Sequence, residues 1–149
     1  MSAPQAPFDA RRLSERMRQA GVDVLLASTR HNIRYLTGGY YYPLYLWDAH
    51  TRGTQYLSFL VLPAGRLDEA FLVGRPGEAE ALQEAGAWPR RCHEAPAIGT
   101  QPAAAKAVEL LRELHLDRAT LALELPSLPA DALQVLAEGL PQARLADAV

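Results

Sequence analysis

The chain has one cysteine, two methionines and three phenylalanines in 149 residues. With Cys92 alone, an intrachain disulfide and a paired-cysteine zinc site are both excluded, and such sparing use of cysteine fits a reducing cytoplasm. No stretch approaches the roughly 20 consecutive apolar residues of a membrane-spanning helix. The opening MSAPQAPF lacks a basic segment followed by an apolar run, so neither secretion nor membrane insertion is expected. An excess of one charge is missing as well. Fifteen Lys and Arg against seventeen Asp and Glu leave a net charge of -2 with the signs interspersed, which supplies no field for gathering nucleic acid or anionic lipid. The densest basic group, Arg11, Arg12, Arg16 and Arg18, is interrupted by Glu15 and keeps helical spacing, the pattern of a solvated helix face.

Several catalytic constellations are lacking too. A dinucleotide site needs a glycine-rich turn between a strand and a helix, so that backbone amides and the helix dipole meet phosphate. The first apolar run is followed instead by STRHNIRY, and Gly38 and Gly39 come only after it, where they stop a helix. His31, His50, His93 and His115 never form the helical histidine pair common in metal hydrolases. Asp48 and His50 in WDAH are the carboxylate and imidazole that an extended segment would turn to one face, but two groups fall short of a catalytic metal site. Cys92 in RRCHEAP has Arg91 and His93 beside it, yet adjacent strand residues face opposite ways, so a half-buried strand cysteine is expected. Ser28, Ser58 and Ser127 lack the glycine-flanked elbow that exposes a serine nucleophile.

What is present is an ordinary globular composition, 49% hydrophobic and 21% charged, in a length suited to one domain. After a lead-in rich in Ala and Pro, Phe8 and Asp9 read as a hydrophobic staple and N-cap. Ala10, Leu13, Met17 and Ala20 then keep helical spacing until Gly21. VDVLLAS is a nearly continuous apolar run, expected as a strand covered on both faces. A short helical turn over residues 30–37 ends at Gly38 and Gly39. QYLSFLVLP and EAFLVG, separated by PAGRLD, suit an antiparallel pair. GEAEALQEAG reads as a short helix and residues 88–96 as a weak strand. A longer helix carries Ala107, Leu110, Leu111 and Leu114 on one stripe, and TLALEL is a strand. A last helix presents Leu133, Leu136, Ala137 and Leu140, and ARLADAV supplies a final strand. Strands alternating with helices around an antiparallel pair predict an α/β three-layer sandwich, a mixed sheet of about six strands with helices on both faces.

The least ordinary stretch is NIRYLTGGYYYPLYLW, residues 32–47, which holds five of the six tyrosines and one of the two tryptophans. Some of these rings must pack on the domain's own sheet, while tyrosine and tryptophan also give stiff contact area with polar tips that suits a wet interface.

The segment RRLSERMRQAGVDVLLASTRHNIRYLTGG resembles the N-terminal domain of the creatinase and prolidase family, which includes Xaa-Pro dipeptidases and Xaa-Pro aminopeptidases. TLALEL and LPQARLADA resemble the family's closing strand, helix and strand, so the likeness covers nearly all of residues 1–149 as one domain; it is weaker over residues 40–54. The resemblance implies a ribonuclease H-like fold and a role without catalysis of its own. Family members carry their chemistry in a larger C-terminal domain of the pita-bread fold. There two aspartates, a histidine and two glutamates bind a pair of divalent ions (manganese, cobalt or zinc), which activate a water and stabilise an oxyanion. Creatinase is a metal-free relative, so membership does not by itself fix the reaction. The expectation is a cytoplasmic hydrolase whose catalytic domain lies outside these residues, an isolated chain without activity or cofactor, assembly into a homo-oligomer, and a proline-containing peptide as the parent's substrate. A free-standing binding or assembly module is the alternative. Candidates for lining a substrate entrance or a subunit contact are Arg34, Tyr40, Tyr41, Tyr42, Tyr45, Trp47, Asp48 and His50. Arg34 could meet a carboxylate as a planar fork or serve a structural ion pair.

Overall fold

The structure, a computed structural model, describes residues 5–40, 42 and 58–149. Six strands form one mixed sheet: β1 (Val24–Ala27), β2 (Phe59–Pro63), β3 (Phe71–Gly74), β4 (Arg91–Glu94), β5 (Thr120–Leu123) and β6 (Arg144–Asp147). Among the described residues five α-helices accompany them: α1 (Ala10–Gln19), α2 (Arg30–Leu36), α3 (Glu78–Glu84), α4 (Thr100–Glu113) and α5 (Ala130–Gly139). The strand order is β4-β3-β2-β1-β5-β6. β2 runs antiparallel to both β1 and β3, whereas β1 with β5, β3 with β4, and β5 with β6 are parallel. The antiparallel β2 and β3 pair expected from the turn residues is therefore present.

Side chains alternate across a strand, and here the alternation builds two cores. Val24, Leu26, Phe59, Val61, Phe71, Val73, Leu121 and Leu123 face one way, onto Ala104, Ala107 and Leu111 of α4 and Ala132 and Leu136 of α5. Ala27, Leu60, Leu62 and Leu72 face the other, onto Ile33 and Leu36 of α2, Leu82 of α3, and Phe8 and Leu13 at the start of α1. That is the three-layer arrangement expected, with helices on both faces. β1 and β2 lie at its centre and are apolar along their length. β4 and β6 lie at the edges with solvent-exposed ends, which is why 88–96 reads as a weak strand.

The helix boundaries follow local chemistry. Asp9 accepts from the Arg12 amide at 2.9 Å and opens α1, and Phe8 stacks edge-on against Trp88 with ring centroids 5.3 Å apart. Gly21, at φ +67°, ends α1 with a pair of amides turned back on it, Gly21 to Arg18 and Val22 to Met17. The same pairing ends α2 at Gly38, α3 at Gly86 and α4 at His115. His115 takes the left-handed conformation without being glycine, so no turn residue marks that stop in the sequence. One expectation is corrected in α5. Ala137 is exposed, and the buried row is Ala132, Leu136 and Leu140, an i, i+4 ridge rotated from the expected stripe. Gly139 explains the close docking there, because a Cβ at that position would lie 2.7 Å from Val108 of α4.

Candidate functional site

Two buried carboxylates organise the polar interior, one near each end of the α2 region. Glu124 follows β5 directly and is 3% exposed. Its Oε2 accepts from the Ser28 amide at 2.5 Å, the Thr29 amide at 2.6 Å and the Ser28 hydroxyl at 3.2 Å. Its Oε1 accepts from the Thr29 hydroxyl at 2.8 Å and from Asn32 Nδ2. β1 and β5 are parallel neighbours, and the helices that follow them, α2 and α5, pack on opposite faces of the sheet. In α/β folds such a divergence opens a crevice at the strands' carboxyl ends, where ligands often bind against helix amides. Here the amides at the start of α2 are taken by Glu124 itself. Burial alone would raise this carboxyl, but the amides of Ser28 and Thr29, with Asn32 and the Thr29 hydroxyl, outweigh it and hold the pKa below the usual range.

Glu78, in the first turn of α3, is 1% exposed. Ser58 donates to Oε2 at 3.1 Å, and so does the Arg75 amide at 3.0 Å. Tyr40 Oη lies 3.5 Å from Oε1. Gly74 makes room for the carboxylate, since a Cβ there would sit 2.8 Å from Oε2 and 3.0 Å from Cys92 Sγ. Burial pushes Glu78 up to about 7, against the opposing hydrogen bonds and the charge of Arg75. Burial also pushes the Cys92 thiol up to about 12, with the charges of Glu78 and Glu94 adding to it, and it raises the Tyr40 phenol well above its ordinary value. Cys92 is thus a thiol held protonated, unsuited to nucleophilic attack. Cys92 faces the α2 and α3 side while His93 meets Phe71 on the other side, ring centroids 5.5 Å apart, so the two are not partners. A third glutamate, Glu94, receives the amides of Gly77 and Ala79 at 3.0 Å each and closes the start of α3.

The residues singled out in the sequence separate. Tyr40 is 7% exposed and belongs to the core, where it reaches Glu78. Tyr42 is half-buried, and the Arg75 guanidinium lies over its ring at 5.2 Å. Arg34 is exposed on α2, beside Tyr35 at 70% exposure. Tyr41, Tyr45, Trp47, Asp48 and His50 lie outside the described residues. The amides of Gly38 and Gly39 bond to Tyr35 and Arg34 carbonyls, so they are spent on the end of α2. They border an open groove of about 410 Å³ that Pro7, Tyr40 and Trp88 also line. Among the described residues no three His, Cys, Asp or Glu side chains come together to hold a metal ion. Among the same residues no helix is long and apolar enough to cross a membrane.

The sequence did not mark Glu78 or Glu124, and Ser58 stood out there only as a serine without a nucleophile elbow. The signal for Glu124 was a charge ending the apolar run of TLALEL; for Glu78 it was an acid directly after the turn glycine Gly77.

Comparison with known proteins places this architecture. The family model for the Creatinase/Prolidase N-terminal domain matches residues 10–149. Among curated proteins none matches by sequence. The N-terminal domain of the cytoplasmic peptidase PepQ from Mycobacterium tuberculosis H37Rv is similar with a TM-score of 0.63 at 20% identity, over 93% of this chain and 91% of that one. The N-terminal domain of Xaa-Pro dipeptidase from Lactobacillus brevis gives 0.67 at 17% identity, over 89% and 88%. The Xaa-Pro dipeptidase from Bacillus anthracis gives 0.63 at 14% identity, and there the match takes 93% of this chain but 34% of that one. The structural likenesses carry the fold; the family match over nearly the whole length carries the membership. This chain belongs to the creatinase/prolidase N-terminal domain family.

Proposed function

We propose that the chain serves as the non-catalytic N-terminal domain of a metal-dependent Xaa-Pro dipeptidase or aminopeptidase, a hydrolase of the cytoplasm. Its tasks on this reading are subunit assembly and shaping the entrance for a proline-containing peptide. The observation that carries the proposal is the family match over residues 10–149, joined to the fact that the chain spans about a third of the length of three similar Xaa-Pro peptidases and dipeptidases. The remaining two thirds of such a protein is room for a catalytic domain, and the two divalent ions belong there.

Arg34, on an exposed helix face, and Tyr42, at the surface under Arg75, are the described candidates for contact with a partner subunit or a substrate. Tyr41, Tyr45, Trp47, Asp48 and His50 are carried in the same role. Tyr40 lies in the core against Glu78 and is set apart from these candidates.

The reading frame beyond Val149 in the gene tests this function. A following segment with paired aspartates, a histidine and two glutamates is the expected result. A stop codon in the natural gene would overturn it in favour of a free-standing binding or assembly module. A segment that lacks those ligands would point to a metal-free creatinase-like hydrolase. Light scattering of the purified chain tests the assembly role separately: association at high concentration is expected, and a monomer would remove these residues as its driver.

A further inference from the structure

Two short helices on one face of the sheet carry opposite charge. α2 reads RHNIRYL and has no acid, while α3 reads EAEALQE and has no base. Both pack on the same core, and their C-terminal ends border the open groove of about 410 Å³. We propose that this face binds a second copy of the chain about a two-fold axis. α2 of each copy lies against α3 of the other, and Tyr35 sits in the partner's groove. The inference rests on the assembly role proposed above and names the surface that carries it.

Helical periodicity decides what each helix shows to the outside. In α2 the core takes Ile33 and Leu36, which leaves His31, Arg34 and Tyr35 exposed. In α3 it takes Glu78 and Leu82, which leaves Glu80, Gln83 and Glu84 exposed. Glu80 and Glu84 stand four residues apart with like charge, an arrangement that disfavours a helix unless a cation lies near. Arg34, Glu80 and Glu84 make no ion pair with another described residue. Elsewhere the helices pair their charges internally, Arg11 with Glu15 on α1 and Lys106 with Glu109 on α4.

A two-fold contact joins a surface to itself, so the surface must hold both halves of every interaction. This face holds base and acid on neighbouring helices. It also holds a knob and a recess: Tyr35 is 70% exposed, and the groove beside it is edged by Pro7, Tyr40 and Trp88 with glycines at 38, 39 and 86. Tyrosine and arginine are the side chains that most often anchor an interface. A phosphate-bearing partner fits less well, because Glu80 and Glu84 would repel it.

Sedimentation equilibrium of the purified chain and its variants tests the face. The parent should form a dimer that weakens as salt is raised, since part of the contact is charge on charge. Arg34→Glu alone, or Glu80→Lys with Glu84→Lys, should weaken it at least about tenfold, because the axis repeats each repulsion twice. All three reversals together should regain most of that loss. Tyr35→Ala should weaken the dimer too, with the salt dependence kept. These side chains are exposed, so circular dichroism should show the fold unchanged in every variant. The charges of Asp48, His50 and Arg52 are removed in a separate variant with alanine at all three, in which the reversal pattern should persist. Loss of the pattern there would move the contact to that segment and overturn the proposal. A dimer indifferent to the reversals, or one that the combined variant fails to regain, would overturn this face and leave the assembly role standing. A monomer at high concentration would remove both, with the peptidase reading still decided by the reading frame beyond Val149.

Discussion

Glu78 and Glu124 are the same residue type at nearly the same depth, and their carboxyl groups are driven in opposite directions. Glu124 receives two main-chain amides at the start of α2, two hydroxyls and an amide side chain. Glu78 receives one main-chain amide, one hydroxyl, and a phenol at long range. Burial raises both; at Glu124 the donors outweigh it and at Glu78 they do not. The difference also separates two kinds of polar site. Glu124 is a lock that fixes α2 against the β1 and β5 ends, whereas Glu78 is a buried carboxyl with fewer donors around it.

The largest effect should come from breaking the lock. Glu124→Ala leaves the amides of Ser28 and Thr29 without their acceptor, and a loss of about 3 kcal/mol at neutral pH is expected from lost hydrogen bonds to a charged group. Denaturant unfolding checks it, and a loss under about 1 kcal/mol would mean that water replaces the carboxylate at little cost. Next is Gly74→Ala, which forces a methyl to within 2.8 Å of Glu78 Oε2 and 3.0 Å of Cys92 Sγ; overpacking should cost about 2 kcal/mol.

The two carboxylates can also be set against each other by pH. Glu124 has a depressed folded pKa, so its contribution is present above the unfolded value near 4.5 and disappears as pH falls through the folded one. Glu78 has the reverse dependence. The melting difference between the parent and Glu124→Gln should therefore grow with rising pH, while that between the parent and Glu78→Gln changes the other way. Parallel slopes would erase the distinction.

Thr29→Ala removes the N-cap of α2 and one bond to Glu124, for about 1 kcal/mol in equilibrium unfolding. The smallest effect belongs to Arg34→Ala. This exposed side chain should change stability by less than about 0.5 kcal/mol, so a larger change would give Arg34 a structural task.

Much of the fold is legible in the sequence because it rests on local rules. β1, β2, β3 and β5 follow apolar runs, and α1, α2 and α3 end where Gly21, Gly38 and Gly86 permit a left-handed turn. The stop at His115 carries no such mark. The face of α5 was misplaced because Leu133, Leu136, Ala137 and Leu140 satisfy helical spacing as well as Ala132, Leu136 and Leu140 do; close approach at Gly139 selects the second. The two carboxylates were illegible for a different reason. Their partners lie 92 to 96 residues away for Glu124, and 20 and 38 residues away for the side chains that meet Glu78, so only the folded chain brings them together. Tyr40 was placed with the surface aromatics by its neighbours Tyr41 and Tyr42, and the structure turns it inward to the core.

The functional reading meets its most direct test in peptide hydrolysis. An Ala-Pro dipeptide is incubated with manganese and either the purified chain or a longer polypeptide that carries it ahead of the proposed catalytic domain. The account predicts turnover by the longer polypeptide and none by the chain alone; metal-dependent turnover by the chain alone, or none by the longer polypeptide, would contradict it.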